Sequence, residues 1–212
     1  MRRLPVYLLL DVSGSMLGDP IVSVDNGLQL VKSALRKDPQ AMETAFVSLV
    51  TFASDVKQVI PLTEVASFNP PKLAASGGTS LGRALTVVTE CAQREVNKGT
   101  QEEKGDWKPM VFIMTDGQPT DDIGPGLAKF KAHSWGTVVA CAAGQHADTS
   151  VLAKITENVL VLDVADTTKI SAFFRFVSAS ITTASKKVDS GSQLGSIDEL
   201  PPPPPEISLL KM

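Results

Sequence analysis

At Leu8-Leu9-Leu10-Asp11-Val12-Ser13-Gly14-Ser15-Met16, an apolar run stops at an aspartate that two serines follow at alternate positions. A continuous apolar run that ends in small residues is typical of a buried parallel strand with a loop at its carboxyl end. Open α/β sheets bind their ligands at that end of the strands. Carboxylate and hydroxyl oxygens suit a hard divalent cation such as Mg²⁺ and suit zinc poorly. The stretch therefore predicts a cation site at the edge of a sheet.

The size and composition of the chain predict one α/β domain followed by a tail. The chain has 212 residues, of which 43% are hydrophobic and 20% are charged, as is usual for a globular protein. Its net charge of -3 and its scattered basic residues give no reason to expect nucleic-acid binding. The two cysteines, Cys91 and Cys141, have neither metal-binding nor redox spacing, so we expect buried thiols.

No segment approaches the roughly 20 apolar residues that a membrane span requires. Arg2 and Arg3 precede a short apolar run, as in a signal peptide, but this run contains Pro5 and leads directly into Asp11. A strand that ends in a functional turn explains the same residues better. We therefore expect a cytoplasmic protein that does not bind a membrane.

Apolar segments with strand and helix periodicity alternate along the chain. Strands are predicted at 6–11, 45–52, 56–60, 109–115, 138–143 and 158–162, and helices at 20–36, 81–96, 123–132, 149–156 and 168–184. Asp38-Pro39 is expected to end the first helix, and Ser80 to cap the second. The second and third strands are close enough for a hairpin. The pattern predicts a doubly wound, mainly parallel sheet with one antiparallel edge strand, a Rossmann-like architecture.

The composition changes near Lys187, so we place the domain at residues 1–186 and the tail at 187–212. The tail contains five prolines, Pro201 to Pro205, which predict a polyproline II segment about 15 Å long. That segment is either a stiff spacer or a ligand for a partner's groove. The apolar residues from Ile207 to Leu210 either pack back on the domain or enter a partner, and a disordered end is a third alternative.

Two more oxygen-bearing side chains are expected near the first strand's carboxyl end. Thr79 precedes a predicted helix, and Asp116 directly follows a predicted strand. Asp121 and Asp122 are expected to cap the helix that follows them. Each such residue alone more often caps a helix or turns the chain, but together two carboxylates and three hydroxyls can satisfy one divalent cation. The candidate ligands are Asp11, Ser13, Ser15, Thr79 and Asp116.

The order and spacing of these five residues closely resemble the metal-ion-dependent adhesion site of von Willebrand factor type A domains, which also occurs in integrin I domains. The resemblance covers residues 5–185, and every position of the metal pattern is filled. The sequence around these five residues also resembles that of bacterial tellurium-resistance proteins. The similar segments are Asp19-Pro20-Ile21, Trp107-Lys108-Pro109, residues 115–122 and the proline run.

The resemblance implies a protein-binding module without catalytic activity. In that family the two serines hold the metal directly, the threonine and aspartates do so directly or through water, and an Asp or Glu of a partner protein completes the shell. The implied metal is Mg²⁺ or Mn²⁺, with Ca²⁺ as an alternative. The implied setting is a bacterial tellurite or stress response, with a phosphatase or a kinase among the candidate partners.

A Mg²⁺-dependent phosphatase of the haloacid dehalogenase type is the main enzymatic alternative. Such enzymes also place an aspartate after the first strand, but they use a second carboxylate as general acid where this chain has Ser13. Nucleotide binding is disfavoured because residues 77–82 lack the lysine of a phosphate-binding loop. Of the two histidines, His133 is expected in a capping or surface position and His146 at the rim of the site.

Overall fold

The structure is a computed structural model that describes residues 2–144, 147–162, 166–192 and 199–210. Seven strands form a single sheet: β1 (Leu4–Asp11), β2 (Ala45–Phe52), β3 (Val56–Glu64), β4 (Met110–Thr115), β5 (Val138–Ala143), β6 (Val159–Leu162) and β7 (Ser208–Leu209). Six α-helices accompany them: α1 (Asp19–Arg36), α2 (Pro39–Thr44), α3 (Leu81–Glu95), α4 (Gly124–Ala132), α5 (Thr149–Ile155) and α6 (Thr167–Asp189).

The strand order is β3-β2-β1-β4-β5-β6-β7. The five inner strands pair in parallel, whereas β3 and β7 pair antiparallel with their neighbours. The mainly parallel α/β sheet is therefore confirmed, with an antiparallel strand at each edge rather than at one. β3 continues to Glu64, beyond its predicted end at residue 60, and it accommodates Pro61 because an edge strand has one side without a ladder.

β1 lies in the middle of the sheet and is buried along its whole length. Val6 and Leu8 enter the apolar cluster beneath α1, α2 and α6, whereas Tyr7 and Leu9 enter the cluster beneath α3, α4 and α5. Because helices cover both faces, every side chain of the strand can be apolar. The carboxyl end of β1, at Asp11, is thereby held from both sides.

Helices α1 and α6 pack closely over the first of these clusters. An ideal Cβ on Gly27 of α1 would lie 2.0 Å from Cδ2 of Phe174 in α6. No side chain fits at that distance, so glycine allows the backbone of α1 to approach the aromatic ring.

Helix α1 ends at Arg36, just before Asp38-Pro39, as predicted, and the same two residues also start the short helix α2, which was not predicted. Asp38 accepts a hydrogen bond of 2.9 Å from the Ala41 backbone N–H, and Pro39 occupies the first helical position. Both features favour helix initiation. The two residues that end the helical pattern of α1 therefore also start a new helix.

The described part of the tail packs back on the domain. Helix α6 ends at Asp189, so the predicted boundary between residues 186 and 187 falls inside a helix. Leu200 and Ile207 are buried in the cluster beneath α1 and α6, and β7 extends the sheet beyond β6. Residues 199–210 thus join the core and the sheet edge rather than lying outside the domain.

The two cysteines are buried free thiols, as predicted. Burial raises the pKa of Cys91 and of Cys141, which favours the protonated thiols. None of the helices within the described ranges is long and apolar enough to span a bilayer.

Candidate metal centre

Two backbone hydrogen bonds tie the loop after β1 to the loop before α3. The Ser76 N–H donates to the Val12 carbonyl at 2.8 Å, and the Gly14 N–H donates to the Gly77 carbonyl at 2.9 Å. These bonds hold the Asp11–Ser15 segment against the segment that leads to Thr79.

Two further hydrogen bonds tie the loop before α3 to the loop after β4. The Thr79 N–H donates to Thr120 Oγ1 at 3.0 Å, and the Thr120 N–H donates back to the Thr79 carbonyl at 2.8 Å. Residues 11–16, 76–80 and 116–120 therefore form one connected edge at the carboxyl ends of the strands. That edge is where the sequence predicted the ligands to meet.

Asp11 is fully buried, and both of its carboxylate oxygens accept hydrogen bonds. Oδ1 accepts from the Ser13 backbone N–H at 2.8 Å, and Oδ2 accepts from Thr115 Oγ1 at 2.5 Å. Burial raises the pKa of the Asp11 carboxyl; the hydrogen bonds from Ser13 and Thr115 oppose this shift, and the charge of Asp116 adds to it. A cation between the two carboxylates would stabilise both charges.

Ser13, Ser15 and Asp116 form a short chain of hydrogen-bonded oxygens. Ser15 Oγ donates to Asp116 Oδ1 at 2.6 Å, and Ser13 Oγ lies 3.0 Å from Ser15 Oγ. Ser13 and Asp116 are buried, whereas Ser15 is exposed. The exposed Ser15 thus marks the side on which this group of oxygens faces solvent.

Thr79 belongs to the same group, as the position of Gly117 demonstrates. An ideal Cβ on Gly117 would lie 3.3 Å from Thr79 Oγ1 and 3.7 Å from Ser15 Oγ, so both hydroxyls face the backbone of Gly117. The structure therefore brings all five predicted residues to one edge. Glycine at position 117 keeps the space beside the two hydroxyls free of a side chain.

The donor set fits a hard cation and depends on the hydroxyls. In the described ranges, no three His, Cys, Asp or Glu side chains come together, so a metal held at this edge would need hydroxyl ligands as well. The oxygens here are two carboxylates and three hydroxyls, a set that suits Mg²⁺, Mn²⁺ or Ca²⁺ better than a softer metal. None of the ion pairs among the described residues involves Asp11.

Asp121 caps a different helix from the one predicted. Its carboxylate accepts hydrogen bonds from the backbone N–H groups of Gly82 at 3.1 Å and Arg83 at 2.8 Å, in the first turn of α3. Asp122 Oδ1 accepts from the Gly124 N–H at 2.9 Å, as expected at the start of α4. Asp121 thus connects the loop after β4 to the helix that follows Thr79.

Ser80 occupies the cap position of α3, but its side chain does not cap the helix. Its hydroxyl donates instead to the Ser54 carbonyl at 3.2 Å. The prediction that Ser80 caps this helix is therefore wrong, because the carboxylate of Asp121 already accepts hydrogen bonds from the first N–H groups.

Thr115 is a structural partner of the site that was not among the predicted residues. It is buried at the end of β4, beside Asp11 on the neighbouring strand. A hydroxyl at the last position of an otherwise apolar strand, directly before Asp116, was the available signal.

His133 lies away from the candidate site. His133 follows α4 at the end opposite Gly124, and its ring centroid lies 4.3 Å from that of Trp135. This position agrees with the expected surface or capping role. His146, predicted at the rim of the site, lies outside the described residues.

The sequence matches a known domain family over most of its length. The family model described as von Willebrand factor type A domain matches residues 6–176. No curated protein sequence matches the chain.

Several solved structures share the fold. Proximal thread matrix protein 1 from the mussel byssus has a TM-score of 0.60 and 21% identity, covering 84% of this chain and 48% of that one. The structure of that protein is described as having a zinc-occupied MIDAS motif. A von Willebrand factor type A structure from Catenulispora acidiphila has a TM-score of 0.61 and 19% identity, covering 86% and 43% of the two chains.

The pilus adhesin SpaC from Lactobacillus rhamnosus GG has a TM-score of 0.65 and 15% identity, with coverages of 86% and 30%, in its open conformation. The chain therefore spans about half the length of the mussel protein and less of the other two. At these identities the likeness extends to the fold alone.

Proposed function

The chain belongs to the von Willebrand factor type A family, and from this premise we propose that it is a metal-dependent protein-binding module. A divalent cation, Mg²⁺ or Mn²⁺ with Ca²⁺ as the alternative, would be held at the carboxyl edge of the sheet. A partner protein would then supply an Asp or Glu side chain to the same cation. The module itself would catalyse no reaction.

One observation carries the proposal: two acidic side chains and three hydroxyls from three separate loops meet at this edge. The proposed ligands are Asp11, Ser13, Ser15, Thr79 and Asp116. Two carboxylates balance the charge of one divalent cation, so the bound ion could still accept a carboxylate from outside. The surrounding surface would supply affinity, and the ion would fix the register of docking.

The geometry of Asp11 favours binding over the phosphatase alternative. A covalent phosphatase needs an aspartate oxygen that is free to attack phosphorus. Here Asp11 is fully buried, and each of its oxygens accepts a hydrogen bond from the protein. The second position of the phosphatase motif remains a serine, which is a poor general acid near neutral pH.

We place this module in a bacterial tellurite or stress response, in the cytoplasm, with a phosphatase or a kinase as candidate partner. The support is the resemblance of the Asp19-Pro20-Ile21 and Trp107-Lys108-Pro109 segments to tellurium-resistance proteins. In a bacterial strain that lacks its own such protein, the wild-type chain should restore growth on tellurite, and Asp116→Ala should not. Equal growth with both would remove the metal site from that role.

Calorimetric titration with Mg²⁺ tests the metal directly. The wild-type protein should bind one Mg²⁺, and Asp116→Ala should bind it at least about tenfold more weakly, because an anionic ligand is lost. Asp122→Ala is the matched control, since this nearby carboxylate contacts only its own loop in the hydrogen bonds described. Equal binding by Asp116→Ala and the wild type would refute the metal site.

Two measurements separate the binding module from its rivals. Turnover of p-nitrophenyl phosphate that disappears in Asp11→Asn would favour the phosphatase. Affinity capture from a bacterial lysate with Mg²⁺ and with EDTA tests the docking step. A partner that is retained equally in EDTA would indicate a structural subunit rather than metal-dependent docking.

A further inference from the structure

Two exposed apolar side chains, Leu17 and Val22, follow the Ser13–Ser15 segment of the candidate metal centre. Among the described residues, the large hydrophobic side chains with high exposure are Leu17 at 64%, Val22 at 51% and Leu209 at 40%. Leu17 follows Ser15 by two residues, and Val22 lies in the first turn of α1. Exposed apolar side chains next to a polar site are typical of an interaction surface.

A groove begins at Val22 and runs along α1. It has a volume of about 300 Å³ and lies between α1 and the segment around Pro71 and Lys72. Its α1 wall is formed by one face of the helix: Val22, Asp25, Asn26 and Gln29. That face rises about 10 Å from first to last residue. In the sequence, the α1 wall comes shortly after the loop of Ser13 and Ser15, and the wall of Pro71 and Lys72 comes shortly before Thr79.

Hydrogen bonds hold the two walls of the groove together. The Leu73 N–H donates to Asp25 Oδ1 at 3.0 Å, and Gln29 Nε2 donates to the Pro70 carbonyl at 3.4 Å. The groove is thus braced by hydrogen bonds of the protein itself. Asp25 keeps its negative charge, but it is half-buried and one of its oxygens is turned to the backbone of the opposite wall, whereas Lys72 is exposed, so Lys72 is the positive charge at the rim of the groove.

Lys72 is exposed and has no ion pair among the described residues. The bonds of Asp25 and Gln29 place Lys72 alongside the part of α1 between these two residues, which lies about 5–10 Å along the helix from Val22, or about two to three residues of an extended chain. Outward from the proposed metal, the surface would therefore offer the cation, an apolar patch and then the positive charge of Lys72.

We propose that Leu17, Val22 and the groove at Lys72 form an arm of the docking surface that selects the partner. The occupant is an extended segment of another protein. Its first carboxylate binds the metal, an apolar side chain packs on Leu17 and Val22, and a second carboxylate about two to three residues further on pairs with Lys72. This inference rests on the proposed function, because the first carboxylate requires the bound cation.

Charge complementarity determines the choice of occupant. A purely apolar partner would give the cation no outside carboxylate and would leave Lys72 without a counter-charge, and a basic partner would be repelled by Lys72. A segment with two acidic residues around an apolar one matches all three features. The apolar contact with Leu17 and Val22 adds affinity, whereas the cation and Lys72 fix the direction in which the bound segment runs along α1.

A displayed peptide library tests the arm directly. The library is selected on the Mg²⁺-loaded protein and eluted with EDTA. The enriched peptides should carry an acidic residue, then an apolar residue, then a second acidic residue. A synthetic peptide of the enriched sequence should bind Leu17→Ser and Val22→Ser about tenfold more weakly than the wild type, while their Mg²⁺ affinity stays unchanged. Leu209→Ser, a matched exposed leucine on β7, should bind it normally.

Lys72→Glu tests the charge at the end of the arm. Selection on this variant should enrich peptides with a basic residue in place of the second acidic one. EDTA-eluted peptides with one acidic residue, no apolar preference and equal affinity for Leu17→Ser would overturn this inference and leave the proposed function standing. A complete lack of EDTA-eluted peptides would overturn both.

The alternative occupant of this docking surface is a second copy of the chain. Light scattering of the Mg²⁺-loaded protein should give a monomer over the concentration range used for binding. A dimer that Leu17→Ser dissociates would assign the surface to self-association and overturn the inference.

Discussion

Thr115 Oγ1 donates a hydrogen bond of 2.5 Å to Asp11 Oδ2 between the ends of the neighbouring strands β4 and β1. Both residues are almost fully buried. The other oxygen of Asp11 is held by the Ser13 N–H, so the carboxylate is oriented by the fold itself. The candidate site therefore begins from a fixed anion rather than from a mobile side chain.

Replacing Thr115 with valine should destabilise the protein by about 1–3 kcal/mol, because a buried carboxylate oxygen loses its hydrogen-bond donor while the side-chain shape is kept. Thr115→Ser retains the hydroxyl and should recover most of this loss. The free energy of unfolding, measured by urea denaturation in EDTA, distinguishes the two. Equal stability of the valine variant and the wild type would mean that water replaces the threonine.

Asp121→Ala should lower the free energy of unfolding by about 1 kcal/mol, since α3 loses the side chain that accepts hydrogen bonds from its first turn. Ser80→Ala is the matched control at the same helix end. It should change stability by less than about 0.5 kcal/mol, because its hydroxyl bonds to the Ser54 carbonyl instead. A larger loss in Ser80→Ala than in Asp121→Ala would return the capping role to the serine.

Gly27→Ala should destabilise the protein by about 1–3 kcal/mol, because the new methyl group would meet the buried ring of Phe174. A second substitution, Phe174→Leu, makes room for that methyl group. The double variant should therefore be more stable than the sum of the two single losses predicts, as measured in a denaturation cycle. Simple additivity would show that the two helices move apart instead.

The pH dependence of stability should contain a contribution from His133. Burial, and to a lesser extent the charge of Lys98, lower the pKa of His133 below its ordinary value of 6.5. In the unfolded chain this histidine takes up its proton at higher pH than in the folded protein, so its contribution to stability is present above pH 6.5 and is lost as the pH falls below that value. The melting temperature should therefore fall less between pH 7.5 and pH 5.5 in His133→Gln than in the wild type.

Lys98→Met provides the complementary measurement. Removing this positive charge should raise the pKa of His133, which an NMR titration of the imidazole reports. An unchanged pKa would assign the whole shift to burial.

The parallel strands were the most predictable part of the fold. The bounds 45–52 and 138–143, inferred from apolar runs, are those of β2 and β5. These strands are covered on both faces, so their hydrophobic runs begin and end where the strands do. Edge strands lack this signal. β3 therefore extends beyond its predicted end at residue 60, and the two-residue β7 was not predicted.

The candidate site was predictable as a set of residues but not as a set of contacts. Parallel strands bring their carboxyl ends to one edge, so Asp11 and Asp116 could be expected to lie close together. The bond from Thr115 to Asp11 and the capping of α3 by Asp121 depend on pairings far apart in sequence. Local propensity carries no information about such pairs, and the role of the five residues as metal ligands remains a prediction.

The pairing of β7 with β6 has a consequence for synthesis of the protein on the ribosome. The proposed ligands lie between residues 11 and 116, whereas Ile207, which helps to close the core, emerges much later. For part of its translation the growing chain can fold its ligand-bearing strands while β6 still has an open edge. An unpaired edge of this kind is a template for strand exchange between nascent chains. Once residues 208 and 209 have been made, β7 pairs with Leu160 and Val161 and covers this part of the edge of β6.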